Sequence, residues 1–162
     1  MIAFLGTGLL GSNWVRNLRT KGEDVHVWNR TASKAKALES TGAKAFGTPG
    51  EAVKGADRIH LAVYDDTAVD TILGEAAPAF EKGAIIFDHT TISATGARTR
   101  SENWQASGIT YLHAPVFMGP QNALESSGTM LICGDQRIIH KLQPELKKMT
   151  GRLENLGADS GS

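Results

Sequence analysis

The sequence predicts an α/β domain: a doubly wound, mostly parallel sheet with helices on both faces. Two observations carry this. Short apolar runs alternate with segments of helical period along all 162 residues. A glycine follows most of the helical segments, as at Gly22, Gly42, Gly83 and Gly108. Right-handed crossovers between successive parallel strands then fix the winding.

The first thirty residues organise the rest. Ile2-Ala3-Phe4-Leu5 is long enough for a buried strand, and it stops at Gly6-Thr7-Gly8-Leu9-Leu10-Gly11. Leu10, Trp14 and Leu18 then recur every four residues, with Val15 beside them, which predicts a helix with one apolar face. Arg16, Arg19 and Lys21 crowd its carboxyl end, where the helix dipole favours cations. Val25 to Trp28 reads as the second strand, ending at Asn29-Arg30-Thr31.

A helix is expected over 32–40, a short third strand over 43–46 and a brief helix from Pro49. Arg58 to Val63 reads as the fourth strand, leading into Tyr64-Asp65-Asp66. Residues 67–80 fit a helix, 84–88 a fifth strand, and 94–107 a helix capped by Ser93. Ile109 to Leu112 is the sixth strand. Residues 113–122 read as irregular. Residues 129–133 form a seventh strand, 136–149 an amphipathic helix bent at Pro144, and 152–156 a last short strand. The tighter spacing after residue 109 leaves room for antiparallel pairs. Asp159 or Ser160 could cap a further helix.

The G-x-G-x-x-G spacing has a mechanical purpose. The first glycine permits the turn, the second lets a pyrophosphate approach the backbone, and the third packs helix on strand. Unpaired N–H groups at the helix start then hold the anion. The motif alone is weak, but here it follows a strand, opens a helix and leads to a second strand. At the end of that second strand a carboxylate would select NAD through the ribose 2′-hydroxyl. Asn29, Arg30 and Thr31 stand there instead, with Lys34 close behind. No acid repels a 2′-phosphate, and Arg30 offers it a planar charged fork. The expected cofactor is NADP(H).

Composition narrows the classes. The length is one domain's worth, and 41% apolar residues suffice for a core. Seventeen basic and seventeen acidic side chains cancel, so no global field draws nucleic acid or an anionic membrane. No apolar stretch approaches membrane-spanning length. The chain opens on a strand, which predicts no signal peptide. Its single cysteine, Cys133, reads as a buried thiol and fits a cytoplasmic location. No paired histidine spacing suggests a metal.

Several stretches together resemble the β-hydroxyacid dehydrogenase family, which includes 3-hydroxyisobutyrate and 6-phosphogluconate dehydrogenases and, more distantly, imine reductases. Residues 4–11 look like its cofactor motif and residues 27–31 like its NADP-preferring second strand. Asp88-His89-Thr90-Thr91-Ile92-Ser93 is similar to its segment beside the nicotinamide. Ala114-Pro115-Val116, Gly119 and Gly128-Thr129 are similar to its substrate-binding stretch. The resemblance implies a Rossmann-type cofactor domain over residues 1–157, with 158–162 beginning the connection to a helical domain that closes the site and forms a homodimer. It also places the family's catalytic lysine beyond Ser162.

The expected cofactor ligands are Gly6, Gly8, Leu9, Leu10 and Gly11 at the pyrophosphate, and Asn29, Arg30, Thr31 and Lys34 at the 2′-phosphate. Val63, Tyr64 and Asp65 should line the far side, Thr67 or Val69 should touch the adenine, and Thr91 should sit by the nicotinamide ribose. Val116, Phe117, Met118, Gly119 and Asn122 should form the substrate floor. Phe117 stands where the family has a serine that holds a substrate carboxylate. Either the pocket favours a more apolar substrate or an imine, or Phe117 turns into the core. His89 and His113, at strand ends, are candidate proton donors. Three functions fit: the NADP-binding part of a hydroxyacid dehydrogenase or reductase acting on a small 3-hydroxyacid or aldehyde, inactive by itself; an imine-reductase-like enzyme; or a non-catalytic dinucleotide-binding module.

Overall fold

A computed structural model describes residues 1–162. Six parallel strands make the main sheet: β1 (Ile2–Leu5), β2 (Val25–Trp28), β3 (Lys44–Ala45), β4 (Arg58–Leu61), β5 (Ile85–Asp88) and β6 (Thr110–His113). Their order is β3-β2-β1-β4-β5-β6. The chain therefore reverses its direction of travel between β1 and β4, whose carboxyl ends open a crevice.

Every residue of β1 is buried, and alternate side chains feed two cores. Ile2 and Phe4 join Trp14, Val15 and Leu18 of α1 (Leu9–Thr20) on one face. Ala3 and Leu5 pack with Ile59, Leu61 and the inner side of α4 (Asp66–Ala76) on the other. Of the expected apolar stripe of α1, Trp14, Val15 and Leu18 are buried, and Leu10 is half-buried at the edge of the same core. Gly22, at φ +82°, follows its last turn in the left-handed conformation that suits glycine.

Four expected elements are shorter or change character. The fourth strand stops at Leu61 rather than Val63, and the third contains only Lys44–Ala45. The helix expected over 32–40 is α2 (Ala32–Lys36) followed by a 3-10 stretch, Ala37–Thr41. α3 is Pro49–Val53, and α4 gives way to a 3-10 turn containing Pro78, which has no N–H to extend the ladder. α5 (Ala94–Ala106) starts at the expected cap, Ser93, whose hydroxyl accepts from the Gly96 amide.

The larger correction concerns residues 113–122. They are not irregular: they hold β7 (Val116–Phe117) and the start of α6 (Pro120–Glu125). β7 pairs antiparallel with β8 (Thr129–Ile132), which pairs parallel with β9 (Arg152–Asn155) as a second sheet. α7 (Gln136–Leu146) runs through Pro144 and ends three residues before the expected Met149. No helix follows Asp159; its carboxylate takes both Arg98 donors at 2.8 Å and the Gly161 amide in a tight turn.

The second sheet and α6 are fastened to α1 from long range. Buried Trp14 donates its indole N–H to the Met149 carbonyl at 2.9 Å. The Asn17 amide reaches the Ser126 hydroxyl at 2.6 Å and the Lys148 carbonyl at 3.1 Å. Both polar groups are thereby satisfied inside the packed face. The helix that opens at the glycine turn is thus held firmly along its length.

Candidate functional site

At the carboxyl ends of the strands lies a cleft of about 580 Å³. Its first wall is the glycine turn, and the three glycines play different parts. A Cβ on Gly6 would stand 2.2 Å from the Ala62 carbonyl oxygen, and φ there is +94°. A Cβ on Gly11 would stand 2.1 Å from the Gly6 oxygen. Both are fixed by packing. A Cβ on Gly8 would meet nothing within 4 Å, so this face of the turn is open to the cleft. Gly8 is also the N-cap of α1, where no side chain accepts the first N–H groups and no acid stands in the first turn. Open backbone, free donors and the positive helix end suit a phosphate diester. The turn therefore fits a dinucleotide.

The second wall is the end of β2. Asn29 reaches back to the turn: its carbonyl oxygen accepts the Thr7 amide at 2.9 Å. It holds the loop in shape as well as lining the cleft. Arg30, Thr31 and Lys34 are exposed on this wall, and Arg30 is paired with no carboxylate of the chain.

The third wall joins β4 and β5. Val63 and Tyr64 line it, Tyr64 being 81% exposed. Asp65 does not line the cleft; its carboxylate caps α4 by accepting the Ala68 amide at 2.9 Å. Val69 is fully buried in the core and cannot meet an adenine; Ala68 and Ile72, one helical turn apart, face the cleft instead. Thr67 lies outside the lining as well. Thr90 ties the strand ends together. Its hydroxyl accepts the Val63 amide at 3.1 Å, and its amide donates to Asp88 at 2.9 Å. Thr91 lines the cleft as expected.

Of the expected floor, Val116 and Met118 line the cleft. Asn122 instead serves its own loop, accepting the Gly119 amide at 2.8 Å and donating to Ser127 at 2.9 Å. Gly119 is likewise outside the cleft lining. Phe117 is 73% exposed, so it does not turn into the core.

Around the carboxyl ends of β5 and β6 lie buried polar groups that the sequence did not point out as a set. Asp88 accepts the Tyr111 hydroxyl at 2.6 Å, and burial raises its pKa against the pull of that bond. His89 lines the cleft, but both its nitrogens are engaged: Nδ1 with the Ala114 carbonyl at 2.8 Å, Nε2 with His60 at 2.9 Å. Burial holds its pKa down to about 4. His113 is buried outside the cleft lining with Nε2 on the Thr90 carbonyl at 3.1 Å. Neither histidine offers the cleft a free proton. Trp28, Ala62, Ala68, Ile72 and Thr90 complete the walls and were not named as ligands from the sequence. Trp28 and Thr90 fall inside the two stretches that resemble the family's cofactor segments, and Ala68 and Ile72 share a spacing of four on α4; Ala62 carried no signal.

A second cavity, about 640 Å³, lies between α5, the start of β6 and the residues before α7. It sits away from the crevice and holds none of the glycine turn, so we take the smaller cleft as the site. No three metal-ligating side chains gather anywhere. No helix is long and apolar enough to cross a membrane.

A parallel sheet with this strand order, an open glycine turn and free helix amides define a dinucleotide-binding domain of the Rossmann type. The chain belongs to the family described as the NAD binding domain of 6-phosphogluconate dehydrogenase, which matches residues 1–157. It is 32% identical over 151 residues to glyoxylate/succinic semialdehyde reductase 2 of Arabidopsis thaliana, covering 91% of this chain and 42% of that one. It is also similar to the solved 3-hydroxyisobutyrate dehydrogenase of Mycobacterium tuberculosis with L-serine: TM-score 0.94, 27% identity, 99% of this chain and 55% of that one. An imine reductase from Myxococcus stipitatus in complex with NADP+ gives TM-score 0.93 at 26% identity, over 99% and 56% of the two chains. The chain spans about half the length of the curated relatives it matches.

Proposed function

We propose that the cleft binds NADP(H) and that the chain is the cofactor-binding part of an oxidoreductase acting on a small 3-hydroxyacid or aldehyde. The observation that carries the cofactor choice is Arg30: an exposed guanidinium on the cleft wall, at the end of β2, where no carboxylate competes for it. Lys34 adds a second cation. When bound, the nicotinamide supplies or accepts the hydride. The residues of this chain orient it: free amides at Leu9, Leu10 and Gly11 hold the pyrophosphate, Thr91 meets the nicotinamide ribose, and Val116 and Met118 face the substrate.

In this reading residues 1–157 are the cofactor domain and 158–162 begin the connection to a helical domain, which supplies the proton donor and the homodimer contact. The setting is cytoplasmic. The engaged nitrogens of His89 support a donor from outside these residues. The chain by itself then binds NADPH with negligible turnover.

A second reading is favoured by Phe117. An exposed phenyl ring where the family has a serine gives a carboxylate no hydroxyl, and an imine or a more apolar carbonyl compound needs none. A version carrying the helical domain, assayed with hydroxyacids, aldehydes and cyclic imines, separates the two.

The cofactor choice is tested by Arg30→Ala. Charge-assisted bonds are worth about 1.5–3 kcal/mol each, so NADPH affinity should fall roughly ten- to a hundredfold. NADH affinity should hardly change. A variant that keeps the wild-type NADPH-to-NADH ratio overturns the assignment.

A further inference from the structure

Three histidines stand at or near the carboxyl ends of neighbouring strands: His60 on β4, His89 after β5 and His113 on β6. A carbonyl oxygen can only accept, so His89 Nδ1, 2.8 Å from the Ala114 oxygen, carries the ring proton. His89 Nε2 is then a bare lone pair, and it lies 2.9 Å from His60 Nδ1. His60 must therefore place its own proton on Nδ1. Its Nε2 is left with no partner, in a ring stacked between Phe4 and Phe87 at centroid distances of 5.6 and 5.0 Å. The opposite choice would face two lone pairs at 2.9 Å and bury an unpaired donor as well. Geometry thus sets both tautomers.

We propose that His89 is a positioning residue: locked by His60 in its Nδ1–H form, it straps the Ala114 carbonyl, and with it the Pro115–Met118 floor, to the wall formed by Thr90 and Thr91. Two further bonds share the load. The Ala114 amide donates to the Asp88 carbonyl at 2.7 Å, and His113 Nε2–H donates to the Thr90 carbonyl. The floor and the wall that would face the nicotinamide are set at one spacing. The inference rests on the dinucleotide reading of the cleft.

The strap requires neutral rings. A proton added to His89 Nε2 would set two N–H groups head to head. One added to His60 Nε2 would bury a cation between phenyl rings. The groups around the pair discourage both. His113 and Arg58 add positive repulsion, Trp14 packs on His89 at 4.7 Å with no charge to offer, and the Asp88 carboxyl is engaged with Tyr111 and Thr90.

Two measurements on the 162-residue chain decide the matter. Imidazole ¹⁵N–¹H spectra at pH 7.5 should show His60 and His89 both as Nδ1–H tautomers; Nε2–H on His89 overturns the strap. Affinities for NADPH and for adenosine 2′,5′-bisphosphate, which lacks the nicotinamide, should then part. His89→Leu loses the bond to Ala114, so NADPH should bind about three- to tenfold more weakly and the bisphosphate unchanged. His89→Asn, whose amide N–H reaches the place of Nδ1, should recover most of the loss. Equal weakening of both ligands, or no recovery by Asn, overturns the positioning role. Wild-type protein that binds neither ligand overturns the cofactor reading instead, and the tautomer spectrum alone then decides the strap.

Discussion

Gly8→Val should leave a folded protein that no longer holds NADPH. The turn has room for it, because a Cβ at Gly8 has nothing within 4 Å. Its backbone, φ −69° and ψ −160°, is open to any L residue. Replacing an N-cap glycine by a residue with no capping oxygen costs about 1 kcal/mol. The valine methyls, however, stand where a pyrophosphate must touch the backbone. Affinity should fall at least about a hundredfold, or about 2.7 kcal/mol. Gly11→Ala should behave in the opposite way. Its methyl would lie 2.1 Å from the Gly6 oxygen, backbone against backbone, where neither side can yield. Overpacking of that kind costs about 3 kcal/mol or more. Denaturant unfolding and NADPH titration of the two variants should therefore give reversed rankings. Equal loss of stability in both would mean that the open side of the turn is not a ligand surface.

Unfolding in urea should become easier as the pH drops from 6.5 toward 4. His89 has a folded pKa of about 4 against 6.5 when exposed, and burial is the chief cause. The unfolded chain then binds more protons in that window, so stability is complete above 6.5 and is lost on the way down to 4. For His89 alone the loss is about 3 kcal/mol. His60, held well below its usual value by burial and by its neighbour His89, acts in the same direction. Asp88 opposes it: its raised pKa gives stability at low pH that is lost as the pH rises. The lowered carboxylates, Asp66 among them, add their losses only below about pH 4. His60→Phe fits the stack between Phe4 and Phe87 and removes one of the two titrating rings. Its urea midpoint should change less than the wild type's between pH 7.5 and 4.5. A wild-type midpoint that is flat over that range would contradict the buried neutral pair.

The main sheet was legible because its signals are local. Continuous apolar runs mark strands buried on two faces, and the G-x-G-x-x-G turn sits between strand and helix as its mechanics require. The same local logic found Gly6, Gly8, Leu9, Leu10, Gly11, Arg30 and Thr31, all of which line the cleft. What escaped was set by distant partners. Residues 113–122 looked irregular because Val116–Phe117 is only two residues long and becomes a strand through β8. Asp65 and Asn122 have the chemistry of ligands, but the nearest unpaired amides, Ala68 and Gly119, take them as caps. Val69 and Ala68 are neighbours in sequence, and only the rotation of α4 decides which one meets the cleft. The His60–His89 contact joins residues 29 apart, one on β4 and one just past β5, and no spacing rule announces it.

The most direct measurement is an amide chemical-shift map of the chain titrated with NADPH. The largest changes should fall on Gly6 to Gly11, on Asn29 to Thr31 and on Thr91, with weaker changes for NADH at Arg30. Changes centred instead on Ser101, Gln105 and Gly134 to Arg137, around the second cavity, or no saturable change at all, would contradict a dinucleotide held on bare amides at the start of α1.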